Sequence, residues 1–340
     1  MWNYPIIIVC LGITTLGSAF DSANNFTLNL FKQVFTKESQ NFVLFPAAIR
    51  ASFALLYPVA NERVAQDMQQ VLQFNDNEVD PLLDLQTSFL KSSQIFRDPE
   101  EFSLQFSSLL NDYYNQDRKS YVSIAAKSDS HPAYSLSMAS EFSFRETPWR
   151  IEFNSDDIER RTFHFLNGDF ETDVMRSTIR CGFMKLDQIA ALELQYSWQS
   201  ELSLLLIMPI ERKISLSNVV HELNLDYYRY IVENLQQRLI KFAIPKFSAV
   251  TEVSLGGALA EMGLASAFLA NAYNIYRYRG SGIGPLYQKG AFSVCEDGTS
   301  DGEKSGDLFL PSFIAERPFM YMVLNRTTKD ISIIGHYSYY

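Results

Sequence analysis

Cysteine, histidine, basic charge and long apolar runs are all in short supply here, and each shortage removes a class of function. Three cysteines, Cys10, Cys181 and Cys295, are too few for a disulfide framework. The four histidines, His131, His164, His221 and His336, fall in no HxxxH or HExxH spacing, and no GxSxG nucleophile elbow occurs. His164 with Asp169 and Asp173 is a conceivable metal set, but its spacing matches no ligand pattern and a solvated turn fits better. Gly280, Gly282 and Gly284 form a GxGxG run that follows no strand and ends at Pro285, so a phosphate cradle is not expected. Tyr276-Arg277-Tyr278-Arg279 interleaves bases with aromatics, as single-strand binders do. One such quartet in an acidic chain reads as a surface turn. No enzyme constellation remains, and no cofactor or metal is expected.

Lysine and arginine number 29 against 39 aspartates and glutamates, a net charge of −10. That balance excludes nucleic acid and an anionic membrane as main partners. Beyond the N-terminus no segment approaches the roughly 18 continuous apolar residues of a membrane span. No Pro/Gly/Ser linker, repeat or composition break divides the chain. What is present is globular composition, 47% hydrophobic and 20% charged, over 340 residues, enough for a large core.

The first nineteen residues carry no charged side chain, and Ile6 to Ile13 is apolar apart from Cys10 and Gly12. Gly17-Ser18-Ala19 supplies small residues where a signal peptidase reads. We expect a leader over residues 1–19, cut between Ala19 and Phe20, and a single secreted, extracellular domain over 20–340. Cleavage would leave Cys181 and Cys295, which could pair or stay free. Two N-glycosylation sequons, Asn25-Phe26-Thr27 and Asn325-Arg326-Thr327, would then be surface sites if used.

Periodicity predicts helices first and strands later. Leu28, Leu30, Phe31 and Val34 mark one helix. Phe42 to Phe45 reads as a strand, and Pro46 suits the first turn of the helix after it. Val64, Met68, Val71 and Leu72 mark another helix, and Leu83–Leu90 and Phe102–Leu110 two more. Residues 111–137 show no clear period. From Glu141 short strands follow, among them the continuous apolar run of Leu202–Pro209, fit for a buried central strand. One helix spans Val253–Phe268, and strands close the chain. Helices, strands, one helix and strands again make an α+β pattern without βαβ repetition.

Several runs together resemble the serpin superfamily. Asn41 to Ile49 resembles the entry to the serpin second helix, NxxxSPxSI. Trp149 to Phe153 with Phe163, Phe165, Gly168 and Met175, and Ile244-Pro245-Lys246-Phe247 with Leu255, Leu259, Met262-Gly263 and Phe268, follow two further family patterns. Glu296-Asp297-Gly298-Thr299 resembles the EEGT hinge, and Arg317-Pro318-Phe319 the hPF anchor. The order spans residues 26–337. The resemblance implies an α+β serpin fold of three sheets and about nine helices, with an exposed reactive-centre loop, in a monomer. It implies an extracellular serine protease as partner. In inhibitory members that protease cuts the loop, which then inserts into the large sheet. A leader, a core shortened around 111–137 and a degenerate hinge also resemble diverged insect seminal-fluid serpins.

This loop argues against insertion. An inserted strand buries alternate side chains. The family register turns Thr299 inward, so Asp301, Glu303, Ser305 and Asp307 follow it into the sheet. The hinge, Glu296, Asp297, Gly298, Thr299, Ser300, Asp301, Gly302 and Glu303, thus carries acids where inhibitors hold small residues. A buried ion costs several kcal/mol even after relaxation. The loop is also short, with Pro318 only 22 positions after Glu296. Counting along the family register puts the candidate scissile bond at Ser312–Phe313. Where the sheet must open, Phe45 and Ala48 stand at the family's serine positions, Ser140 or Glu141 at its asparagine and Gln288 at its histidine. A gate held mostly by packing is expected. The favoured expectation is a secreted, non-inhibitory or weakly inhibitory protein with an unidentified extracellular partner. The alternative is a working inhibitor that uses residues 300–317 as bait.

Overall fold

The computed structural model describes residues 6–38, 40–73, 90–96, 104–105, 107–108, 122–124, 136–144, 149–150, 153, 155–197, 200–275, 281–296 and 310–340. Its helices are α1 (Ile6–Phe35), α2 (Pro46–Ala54), α3 (Glu62–Leu72), α4 (Leu216–Glu222), α5 (Leu225–Asn234) and the short α6 (Gly256–Leu259). Its strands are β1 (Val43–Leu44), β2 (Leu90–Phe96), β3 (Val122–Ile124), β4 (Leu136–Phe144), β5 (Ile158–Phe165), β6 (Gly168–Lys185) and β7 (Ile189–Gln195). They continue as β8 (Leu202–Pro209), β9 (Gln236–Pro245), β10 (Phe247–Ser254), β11 (Ile283–Val294), β12 (Ser312–Ile314), β13 (Phe319–Asn325) and β14 (Ile331–Tyr337).

Five strands form one sheet in the order β10-β11-β4-β2-β3. The other nine form a second, in the order β1-β14-β13-β8-β7-β6-β9-β12 with β5 on β6. Two of the three expected sheets are therefore joined through one strand. The 18-residue β6 pairs β5 and β9 along most of its length and β7 over its last four residues. A strand of that length can leave one sheet and enter another without a break in its backbone hydrogen bonds.

The local chemistry follows the sequence closely in several places. Pro46 opens α2, where its missing N–H costs nothing. Asn61 caps α3, its Oδ1 accepting from Val64 N at 2.9 Å, and Val64, Met68, Val71 and Leu72 are buried as their spacing predicts. Buried Arg50 closes the other end of α3. Its guanidinium donates to Leu72 O and Gln73 O, both at 2.9 Å, where the helix leaves its last carbonyls unsatisfied. The helix expected over Val253–Phe268 is shorter and broken. Val253 and Ser254 end β10, and Gly263 takes φ 113°, outside helical space, before a final tight turn. Leu90 begins a strand instead of ending a helix. Residues 83–89, 276–280 and most of 111–137 lie outside the described residues, although 122–124 and 136–137 are strand.

Two apolar clusters hold these layers together. One packs α1, α3 and α5 against β13 and β14, through Phe31, Met68, Tyr228, Met322 and Ile334. The other lies between the two sheets, through Phe45, Phe142, Phe292, Leu206, Phe319 and Tyr321. The second cluster backs the seam where the five-stranded sheet would have to part.

Candidate functional site

That seam runs between β4 and β11. They pair in parallel from Ile283↔Leu136 to Phe292↔Phe144, with no strand between them. Gln288 sits midway, opposite Ser140, and is fully buried. Its Oε1 accepts from Phe45 N at 2.7 Å, while its Nε2 donates to Phe45 O at 3.0 Å and to Ser140 Oγ at 2.9 Å. This corrects the expectation of a gate held mostly by packing. A glutamine amide both donates and accepts, so Gln288 satisfies the two backbone groups of Phe45 directly. Packing adds to this bond set without replacing it. The Phe45 ring lies 5.7 Å from that of Phe142. Phe142 in turn fills the space over Gly290, where a Cβ would meet its ring at 2.6 Å.

The loop leaves the sheet just past β11. Trp149 Nε1 donates to Cys295 O at 2.6 Å, and the indole stacks on Tyr196 at 4.6 Å and 14°. Glu296, the first hinge residue, pairs with Lys246 at 2.8 Å. The hydrogen bond from Lys246 is the main reason the Glu296 carboxyl stays below its usual range. Lys246 is placed by the turn between β9 and β10, its own N–H donating to Asp173 O at 2.8 Å. The hinge residues Asp297, Gly298, Thr299, Ser300, Asp301, Gly302 and Glu303, and Asp307 beyond them, lie outside the described residues.

After the loop the chain forms β12, parallel to β9, with Ser312↔Lys241 and Phe313↔Phe242. Lys241 N donates to Pro311 O at 3.1 Å, and Ala315 N to Ala243 O at 2.8 Å. Phe313 is only 1% exposed. A protease can grip Ser312–Phe313 only after peeling β12 from β9 and exposing the Phe313 ring, a burial worth about 1.5–3 kcal/mol. The register count thus puts the candidate scissile bond inside the anchor of the loop. Beyond it Arg317 donates to Ile210 O at 2.8 Å, and Phe319 enters the core.

A closed seam, a loop rooted beside it and a strand that anchors the loop's far end form one arrangement. The serpin (serine protease inhibitor) family model matches residues 21–146 and 131–339. The chain belongs to the serpin family. A serpin-like protein of Thermococcus kodakarensis is 24% identical to it, over 93% of this chain and 84% of its own. Glia-derived nexin of Rattus norvegicus is 20% identical over 98% of both. Among solved structures, SRPN18 from Anopheles gambiae superposes with a TM-score of 0.83 at 18% identity, over 94% of this chain and 98% of its own. That likeness shows the fold.

The remaining candidate residues of this serpin take no part in the seam or the anchor. Cys181 and Cys295 form no disulfide with each other. Burial, with a smaller push from Glu193, lifts the Cys181 thiol to about 12, which leaves it unreactive. Ala19 and Phe20 fall inside α1, and side chains are described only from Asp21 onward. Among the described residues no helix is long and apolar enough to cross a membrane. Asn25 is on α1 between buried neighbours, while Asn325 ends β13 on a turn. His164 meets Asp169 at 2.8 Å across the β5–β6 hairpin, and the described residues contain no group that could hold a metal ion. Gly282 is a packing glycine, since a Cβ there would strike Leu269 O at 2.1 Å.

Two residues escaped the sequence reading. Lys246 sits inside the IPKF run, read as part of a family pattern; a single charge among apolar neighbours in the sequence was the available signal. Glu193 hides in the apolar run of β7, 5% exposed, with Ser203 Oγ donating to its Oε1 at 2.7 Å. A lone carboxylate in a central strand was the clue.

Proposed function

We propose that this serpin is secreted and acts as an extracellular binding or regulatory protein that does not trap proteases by loop insertion. One observation carries the reading: Asp301, Glu303 and Asp307 fall at alternate positions that insertion would bury. Each buried carboxylate costs several kcal/mol or must take up a proton. Gly302 and Gly306 add about 0.5–1 kcal/mol each in lost backbone freedom. A strand entering between β4 and β11 would also have to break the Gln288–Ser140 bond that spans the seam. A closed seam by itself does not discriminate, because the loop of any uncut inhibitor would lie outside its sheet. The argument rests on what insertion would bury.

The family's protease-inhibitor character favours a second reading, in which residues 300–317 serve as bait for an extracellular serine protease. The buried Phe313 then shifts the cut upstream of Ser312, which shortens the segment available for insertion further. Nicking the loop and following thermal unfolding separates the two readings. The non-inserting protein melts at nearly the same temperature before and after the nick. A large rise in melting temperature would mean that the loop enters the sheet in spite of its acids, and the proposal would fall.

A further inference from the structure

A polar cavity of about 450 Å³ lies in the nine-stranded sheet where β7 ends and β9 begins, distinct from the loop, the seam and the anchor. Its walls include Glu193 and Gln195 of β7, Ser200 and Glu201 on the turn to β8, Gln237 at the start of β9, and Arg326 on the turn after β13. All its lining residues carry polar or charged side chains, so an apolar ligand has nothing to pack against. The charges match among themselves. Lys329 Nζ lies 3.3 Å from Glu193 Oε1, and formal charges from Glu193 and Glu201 are balanced by Arg326 and Lys329. Arg326 N donates to Glu201 O at 2.7 Å, locking the two turns together. Such a cavity suits a neutral molecule rich in hydroxyl and amide groups better than an ion.

The sequon asparagine stands at its rim. Asn325 Oδ1 accepts from Thr327 N at 2.9 Å and Thr328 N at 3.0 Å, which fixes the plane of the side-chain amide. Nδ2 then points toward Glu201 Oε2, 3.3 Å away in the cavity wall. A group attached to Nδ2 would therefore start beside that wall. Asn25 offers no such seat, since Asn24, Phe26 and Thr27 around it are all buried in the helix packing.

We propose that Asn325 carries an N-linked glycan and that this cavity seats its first sugars. The innermost residues of such a glycan are neutral N-acetylglucosamines, whose hydroxyls and acetamides match Gln195, Gln237 and Ser200. Attachment precedes folding. The Asn325 amide nitrogen loses one proton and bonds to the sugar C1 of a lipid-pyrophosphate donor, from which the lipid pyrophosphate leaves. Oδ1 is untouched, so the turn that aims Nδ2 survives the modification. The inference rests on the secreted reading given above.

The test uses the full chain expressed in a secretory animal cell. Site-resolved mass spectrometry of the protein in the medium should find a glycan on Asn325. Peptide-N-glycosidase should release it from the folded protein at least about tenfold more slowly than from the denatured one. Ser200→Ala with Gln237→Ala should speed release from the folded protein about tenfold, the effect of losing two ordinary hydrogen bonds. A secreted chain bare at Asn325 overturns the inference alone, as does equal release from folded and denatured protein or a double variant that changes nothing. A chain retained in the cell without sugar overturns the secreted reading as well.

Discussion

Replacing Gln288 by methionine keeps the length and volume of the side chain and removes its hydrogen bonding. The change withdraws the acceptor at 2.7 Å from Phe45 N and the donor at 2.9 Å from Ser140 Oγ, both at buried positions. Phe45 O keeps a bond from Ala48 N at 3.2 Å, so its loss is smaller. A buried polar group deprived of its partner costs about 1–3 kcal/mol, and burying an apolar group in place of an amide returns part of that. The net expectation for Gln288→Met is a loss of about 2–4 kcal/mol, a large share of the roughly 5–15 kcal/mol that holds a domain together. Ser140→Ala removes one of the three bonds and should cost about 1 kcal/mol. Equilibrium urea unfolding of the two single variants and the double variant would give these values and their coupling. Ser140 and Gln288 share a bond, so the double variant should lose less than the sum. A loss below about 1 kcal/mol for Gln288→Met would refute the hydrogen-bonded gate and return the seam to packing alone.

Other parts of the fold give further expectations. His336 lies buried among Phe31, Phe35 and Phe42, and burial lowers its pKa from 6.5 to about 4. The folded state therefore resists protonation that the unfolded chain accepts. Stability is undiminished above pH 6.5, falls as the pH drops toward 4, and loses about 3 kcal/mol over that window. Urea unfolding at pH 7 and pH 4 should show that difference shrinking in His336→Asn; an unchanged difference would refute it. Gly335→Ala would place a Cβ 2.5 Å from Tyr321 Oη and 2.6 Å from Phe42 O, with backbone on one side and a buried ring on the other. Overpacking of this kind should cost about 1–3 kcal/mol, read as a lower urea midpoint, and an unshifted midpoint would contradict the close packing of β14 on β1.

Much of the fold was legible where local chemistry and distant packing agree. Pro46 at a helix start, Asn61 as a cap and the buried face of α3 needed only neighbours within a turn. The run Leu202–Pro209 announced a central strand because a strand covered on both faces must be apolar throughout. The gate was not legible in the same way. Gln288 was recognised as a departure, but its main partner is the backbone of Phe45, 243 positions away, and no side-chain pattern reports a backbone atom. Phe313 likewise looks like an ordinary loop residue until β9 supplies the strand against which it is buried. Glu193 and the cavity beside it depend on two turns meeting the ends of β7 and β9, a matter of tertiary geometry with no local signature. The acidic alternation of the loop was the reverse case. It could be read from the sequence alone, because the period of a strand fixes which side chains insertion would bury.

The central claim is that this loop does not carry a protease into the sheet. Incubation of the protein with trypsin-, chymotrypsin- and elastase-like serine proteases, followed by denaturing electrophoresis, tests it most directly. The account predicts a cut or intact chain and free protease, with no covalent adduct. A denaturant-resistant complex formed at near-stoichiometric yield would contradict it.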